Sequence, residues 1–194
     1  MLFNYYFSML CLFVYVAGWT VSSYARWTKT GQAKAVSAKS RLLSIVGGFG
    51  CFIIGIQGGN LALPLIHLPP PVAATVLGCI LLVAGTGLSL WGSFQYHAVF
   101  SVSERQRGGE IRPRMPYTRM RQPFYTGLIM ALPGLLLLIP TLYILVLSIF
   151  LIVVLGMKAF ADDAFLRDRL GEDYAAYSKQ VPLLLPSLSS LKND

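Results

Sequence analysis

Phe124–Lys158 reads F-Y-T-G-L-I-M-A-L-P-G-L-L-L-L-I-P-T-L-Y-I-L-V-L-S-I-F-L-I-V-V-L-G-M-K, with no charged residue before Lys158. As one helix it would extend about 50 Å, far beyond a bilayer core of ~30 Å. Pro140 divides it, because proline lacks a backbone donor and ends helical runs. The pattern therefore predicts two spans, Phe124–Ile139 and Thr141–Lys158, folded as a tight helical hairpin.

The composition agrees with a membrane setting. Of 194 residues, 55% are hydrophobic and 12% charged, and the mean hydropathy is +0.62. A soluble domain carries about 25% charged residues. The net charge of +8 resides largely in segments that flank apolar runs. That placement points to an anionic lipid surface and argues against nucleic acid. Cys11, Cys51 and Cys79 all fall in apolar segments without a C-x-x-C partner, so they read as small core residues and no metal site is expected.

Upstream of the hairpin, three more spans are expected: Leu2–Tyr24, Leu42–Leu63 and Val72–Phe94. The first reads as a retained span, having no basic n-region. The second holds Gly55 and Gly59 in a G-x-x-x-G, which lets helix backbones approach closely in lipid. Ala84-Gly85-Thr86-Gly87 in the third reads as helix packing more than a cofactor contact, since no strand-turn-helix context surrounds it. Pro64–Pro71 is an uncharged outer turn, and His67 within it reads as a solvated side chain.

Two connecting segments are basic. Arg26–Arg41 has five Lys or Arg and no acid; Gln95–Arg121 has six arginines against Glu104 and Glu110. Placing both inside gives about five transmembrane helices, N-terminus outside and C-terminus cytoplasmic. The expected fold is an all-α, polytopic, single membrane domain: a three-helix scaffold over 1–94 and a functional half over 95–194.

After the hairpin, Ala159–Tyr177 reads as a cytoplasmic amphipathic helix. Leu166, Leu170, Tyr174 and Tyr177 form one stripe, with charges on other faces. Gly171 interrupts it. Val181–Pro186 is short, apolar and bounded by prolines, and is expected against the bilayer face; Ser187–Asp194 is expected to fray.

The functional residues concentrate at the inner edge. Met115–Gly127, M-P-Y-T-R-M-R-Q-P-F-Y-T-G, packs polar and aromatic groups between the basic loop and the hairpin. At the far end of the hairpin, Lys158 and Asp162 are four residues apart on one helix face. The adjacent carboxylates of Asp162 and Asp163 need a cationic partner at such a boundary.

Together, R-Q-P-F-Y-T-G at Arg121–Gly127 and D-D-A-F-L-R-D-R-L-G-E-D-Y-A-A-Y at Asp162–Tyr177 resemble the isoprenylcysteine carboxyl methyltransferase and phospholipid methyltransferase superfamily. The signature there is R-H-P-x-Y-x-G, a hairpin, E-E, and F-G-x-x-Y-x-x-Y. The resemblance covers roughly Arg105 to Pro186. It implies an S-adenosylmethionine-dependent membrane methyltransferase whose acceptor is a prenylcysteine-like carboxylate, a lipid head group or another lipophilic or lipidated molecule. Carried over by position, it implies that Gly109, Glu110, Ile111, Arg112, Tyr117, Gln122, Pro123, Phe124, Tyr125, Asp162 and Asp163 hold the cofactor. Lys158 and Arg121 are the implied catalytic positions.

In that setting, an aspartate can take the cofactor's ammonium or ribose hydroxyls and an arginine its carboxylate. Tyr117 and Tyr125 can stack on adenine or lie beside the sulfonium. The chain departs from the pattern at several points. Gln122 replaces the histidine and cannot carry a proton. Aspartates replace glutamates, Lys158 replaces an arginine that would fork onto a carboxylate, and M-P-Y replaces G-x-Y. These changes bear on the acceptor more than on the cofactor. Two other functions fit the same scaffold: a non-catalytic lipid-binding relative, and a nicotinamide-dependent membrane reductase.

Overall fold

The computed structural model describes residues 15–17, 70–100 and 113–186. Apart from residues 15–17, which are helical, the first two expected spans, the loop between them, the G-x-x-x-G, most of the outer turn and Ser187–Asp194 lie outside the described residues. So do Gly109, Glu110, Ile111 and Arg112. Among the described residues the regular structure is helical: α1 is Val72–Phe100, α2 is Pro123–Leu138 and α3 is Leu142–Gln180. Two of these, α1 and α3, are long and apolar enough to cross a bilayer.

The 29 residues of α1 reach about 44 Å. The helix runs six residues past the expected Phe94, into what the sequence reads as loop. Val99 and Phe100 explain the extension: both are buried against Tyr117, Leu166, Leu170, Tyr174 and Tyr177. Six more helical residues carry that apolar pair into a second core, beyond the membrane-length segment.

α2 begins with Pro123 at its first turn, where a missing N–H is harmless. Its 16 residues extend about 24 Å, short of a full hydrocarbon core. It meets α1 in antiparallel fashion through glycine. A Cβ on Gly85 would lie 2.5 Å from the Gly127 carbonyl oxygen, and one on Gly78 would lie 2.9 Å from that of Gly134. A Cβ on Gly92 would lie 2.9 Å from Pro123. The seven-residue spacing of Gly78, Gly85 and Gly92 keeps them on one seam. Buried Thr86, Ser89 and Ser93 satisfy their hydroxyls on carbonyls of their own helix, to Leu82, Thr86 and Ser89 respectively.

A three-residue connection, Ile139–Thr141, links α2 to α3. Thr141 caps α3 by accepting the Ile144 N–H at 3.2 Å. Leu128, Leu132 and Leu135 of α2 share a core with Leu147, Leu151 and Leu155 of α3.

Two expected segments, the last span and the charged helix, form one helical run of 39 residues, broken in direction only at Gly171. Gly171 has φ 61°, a left-handed value that side-chain-bearing residues rarely adopt. The turn there brings the next helical stretch back so that Tyr174 and Tyr177 join the second core. All four residues of the expected stripe, Leu166, Leu170, Tyr174 and Tyr177, are buried.

Candidate functional site

Arg121 and Gln122 lie just ahead of the first turn of α2, where backbone N–H groups have no intrahelical acceptor. Val181–Pro186 supplies acceptors. Arg121 N–H donates to Pro182 O at 2.9 Å and Gln122 N–H to Leu183 O at 3.0 Å. Thr126 Oγ1 adds a bond to Leu184 O at 2.7 Å. The short apolar segment is stitched to the polar motif. Backbone groups needing partners decide its position, and apolarity alone does not.

Three clusters grow from this junction. The first joins the two sequence motifs directly: Tyr125 donates its hydroxyl to Asp162 Oδ2 at 2.5 Å, across 37 residues of chain. Lys158 Nζ lies 5.9 Å from the centre of the Tyr125 ring, so an ammonium faces an aromatic surface. Lys158 is buried and Asp162 half-buried. Phe124 backs Tyr125 edge-on, with ring centres 4.8 Å apart.

The second cluster is centred on Asp163. Arg121 Nη1 and the Tyr174 hydroxyl both donate to Asp163 Oδ1 at 2.5 Å, and Arg167 Nη2 lies 3.7 Å from Oδ2. The Arg121 and Asp163 side chains are each 11% exposed. Burial in the first place, and then the bond to Asp163, pushes the Tyr174 hydroxyl well above the ordinary tyrosine range. It therefore stays protonated and donates. Burial likewise raises Tyr177.

The third cluster ties the elements together. Tyr117 donates to Gly92 O of α1 at 2.8 Å, and Tyr177 donates to Tyr117 O at 2.6 Å. Phe100 packs its ring against Tyr117, Tyr174 and Tyr177.

The sequence-derived site residues thus divide. Tyr125, Lys158 and Asp162 meet. Arg121 and Asp163 meet each other, away from that group, as a buried ion pair. Tyr117 and Tyr125 are 1% and 2% exposed, so neither presents a free ring face. Pro123 packs on Gly92 as the helix start. Gln122 is 1% exposed, and its Nε2 has no hydrogen-bond acceptor among the described residues. No group of three or more His, Cys, Asp or Glu among them is placed to hold a metal ion.

The sequence reading assigned no polar role to Tyr174, Tyr177 or Thr126. The Y-A-A-Y spacing carried a signal: two tyrosines on a buried face must find acceptors for their hydroxyls. No family model, curated protein or solved structure matches the chain.

Proposed function

We propose that this protein is an integral membrane methyltransferase that uses S-adenosylmethionine on a lipophilic acceptor, a prenylcysteine-like carboxylate or a lipid head group. The accompanying topology has five spans, N-terminus outside and site at the cytoplasmic edge, with α2 and α3 crossing as a hairpin. A span as short as α2 is met by local thinning of the bilayer.

The observation that carries this reading is the bond between Tyr125 and Asp162 at 2.5 Å. It joins the two motifs that the sequence pairs by resemblance, with Lys158 on the same helix face. The donor set suits the cofactor. Asp162 is an incompletely buried carboxylate able to take an ammonium or ribose hydroxyl, and the Gln122 amide is a buried donor lacking an acceptor. When bound, S-adenosylmethionine supplies an electrophilic methyl group on sulfur.

The chain's own groups then have distinct tasks. Asp162 meets the cofactor, while Tyr125, whose ring is covered, positions Asp162. Lys158 holds the anionic or electron-rich end of the acceptor. The Arg121–Asp163 pair keeps the motif and α3 in register. Methyl transfer needs little covalent help, so orientation and exclusion of water would supply the rate.

Titration calorimetry with S-adenosylhomocysteine on the purified, full-length protein tests the proposal. Binding is expected, weakened about tenfold or more in Asp162→Asn, as for loss of a charge-assisted hydrogen bond. A monodisperse, helical preparation that binds no S-adenosylhomocysteine overturns it. Labelled S-adenosylmethionine with a lipid extract would then identify the acceptor.

A further inference from the structure

The side of α3 turned away from Lys158 and Asp162 has its own chemistry. At about 100° per residue, Phe160, Ala164 and Arg167 project opposite to Lys158 and Asp162. They line an open cleft of ≈ 580 Å³ together with Arg121, Asp163, Asp168 and Leu183. Arg121 Nε is buried in this lining and has no acceptor among the described residues. The Arg167 side chain is 58% exposed and only loosely engaged, 3.7 Å from Asp163. Asp163 itself is held by Arg121 and Tyr174. The cleft therefore offers guanidinium donors in excess of the acceptors they have found.

Above the cleft, the same face is apolar and open. Ile149, Val153, Met157 and Phe160 recur at intervals of three and four residues, each at least half exposed. From Ile149 to Phe160 the helix rises about 17 Å, the depth of one leaflet's hydrocarbon. An exposed apolar helix face leading to a cleft lined by Arg121, Arg167, Asp163 and Asp168, with Asp163 already held by Arg121 and Tyr174, suits an amphiphile whose head carries an anion beside hydroxyl or amine donors.

We propose that this cleft binds the phosphate of a membrane phospholipid, with an acyl chain along the Ile149–Phe160 face of α3. Arg167 and Arg121 Nε donate to the phosphate oxygens. Phe160 and Leu183 flank the glycerol region. Asp168 accepts from hydroxyl or amine donors of the head group. The site is separate from the Tyr125–Asp162 cluster and stands whether or not that cluster binds a cofactor.

Native mass spectrometry of the full-length protein, released from detergent, tests this with three probes: dioleoylphosphatidylglycerol, dioleoylglycerol and inorganic phosphate. Retention of phosphatidylglycerol is expected, with affinity about tenfold lower in Arg167→Gln, the loss of a bidentate charged contact. Arg169→Gln makes the same charge change on the same helix outside the cleft and is expected to bind as the parent does. Phe160→Ala should also weaken retention, with the melting temperature reporting that both variants fold.

Three results would overturn the proposal. Arg167→Gln could bind as tightly as the parent. Dioleoylglycerol could bind as well as phosphatidylglycerol, which would make the face merely apolar. Inorganic phosphate could displace the lipid at equal concentration, which would make this a free-anion site. Calorimetry with S-adenosylhomocysteine on Arg167→Gln separates this site from the methyltransferase reading, because that binding is expected to be unchanged.

Discussion

α2 makes two contacts of opposite character. Against α1 it is held by side chains that are missing: Gly127 and Gly134 face Gly85 and Gly78 at distances that leave no room for a Cβ. At its N-terminal end it is held by groups that must be present: Arg121 on Asp163, Tyr125 on Asp162, and Thr126 on Leu184 O. The contrast has a physical basis. In a mostly apolar chain, hydrophobicity cannot select one partner helix over another. Selection passes to steric fit where the environment is dry and to hydrogen-bond pairing where charges approach the water boundary.

Substitution at the glycine seam should have the largest effect. Gly85→Leu places a side chain on the Gly127 backbone, which cannot rotate away. We expect a loss of about 3 kcal/mol or more, seen as failure to recover monodisperse protein. Gly87→Leu is the control, since nothing lies within 4 Å of a Cβ there, and it should purify like the parent. Equal behaviour of the two variants would remove steric fit from the comparison.

At the polar junction, Asp163→Asn leaves Arg121 buried without its counter-charge. A destabilisation of about 3 kcal/mol is expected in chemical denaturation. Adding Arg121→Gln should recover part of it, because the residual charge is what costs most. Additive losses in the double variant would mean that the pair is not coupled.

A smaller effect is expected for Thr126→Val, which removes one hydrogen bond to the C-terminal segment. About 1 kcal/mol should be lost, together with faster proteolysis after Gln180. Unchanged proteolysis would show that the Arg121 and Gln122 backbone bonds hold Val181–Pro186 alone.

The subtlest effect is in alkaline solution. Tyr174 has a raised pKa in the fold, so its protonated hydroxyl contributes stability that is fully present below the unfolded value of about 10. That contribution declines as pH climbs from about 10 through the raised value. Tyr174→Phe should lower stability at neutral pH and flatten the alkaline decline, measured by denaturation midpoints from pH 8 to 11. A parallel slope in the variant would assign the decline to other groups.

Much of this was readable in one dimension. Pro140 does follow the end of an apolar helix, but Pro133 lies inside the same helix, so a missing donor alone does not fix where a helix stops. Leu166, Leu170, Tyr174 and Tyr177 do share a buried face, since helical period alone puts them there. Lys158 and Asp162 project together for the same reason. The two adjacent aspartates were not separable by sequence. A rotation of about 100° sends Asp162 to Tyr125 and Asp163 to Arg121, and which goes where depends on the orientation of α3.

The sequence by itself determined that the apolar segments among the described residues would be helical and that Tyr125, Lys158 and Asp162 would lie at their ends. Covalent geometry, backbone hydrogen bonding and side-chain periodicity are local and act on neighbours along the chain. Only the tertiary structure decided that Gly85 lies on Gly127, that α1 continues to Phe100, and that Pro182 and Leu183 accept from Arg121 and Gln122. Those outcomes depend on excluded volume and unsatisfied donors meeting across dozens of residues, and no local pattern contains the distance between them.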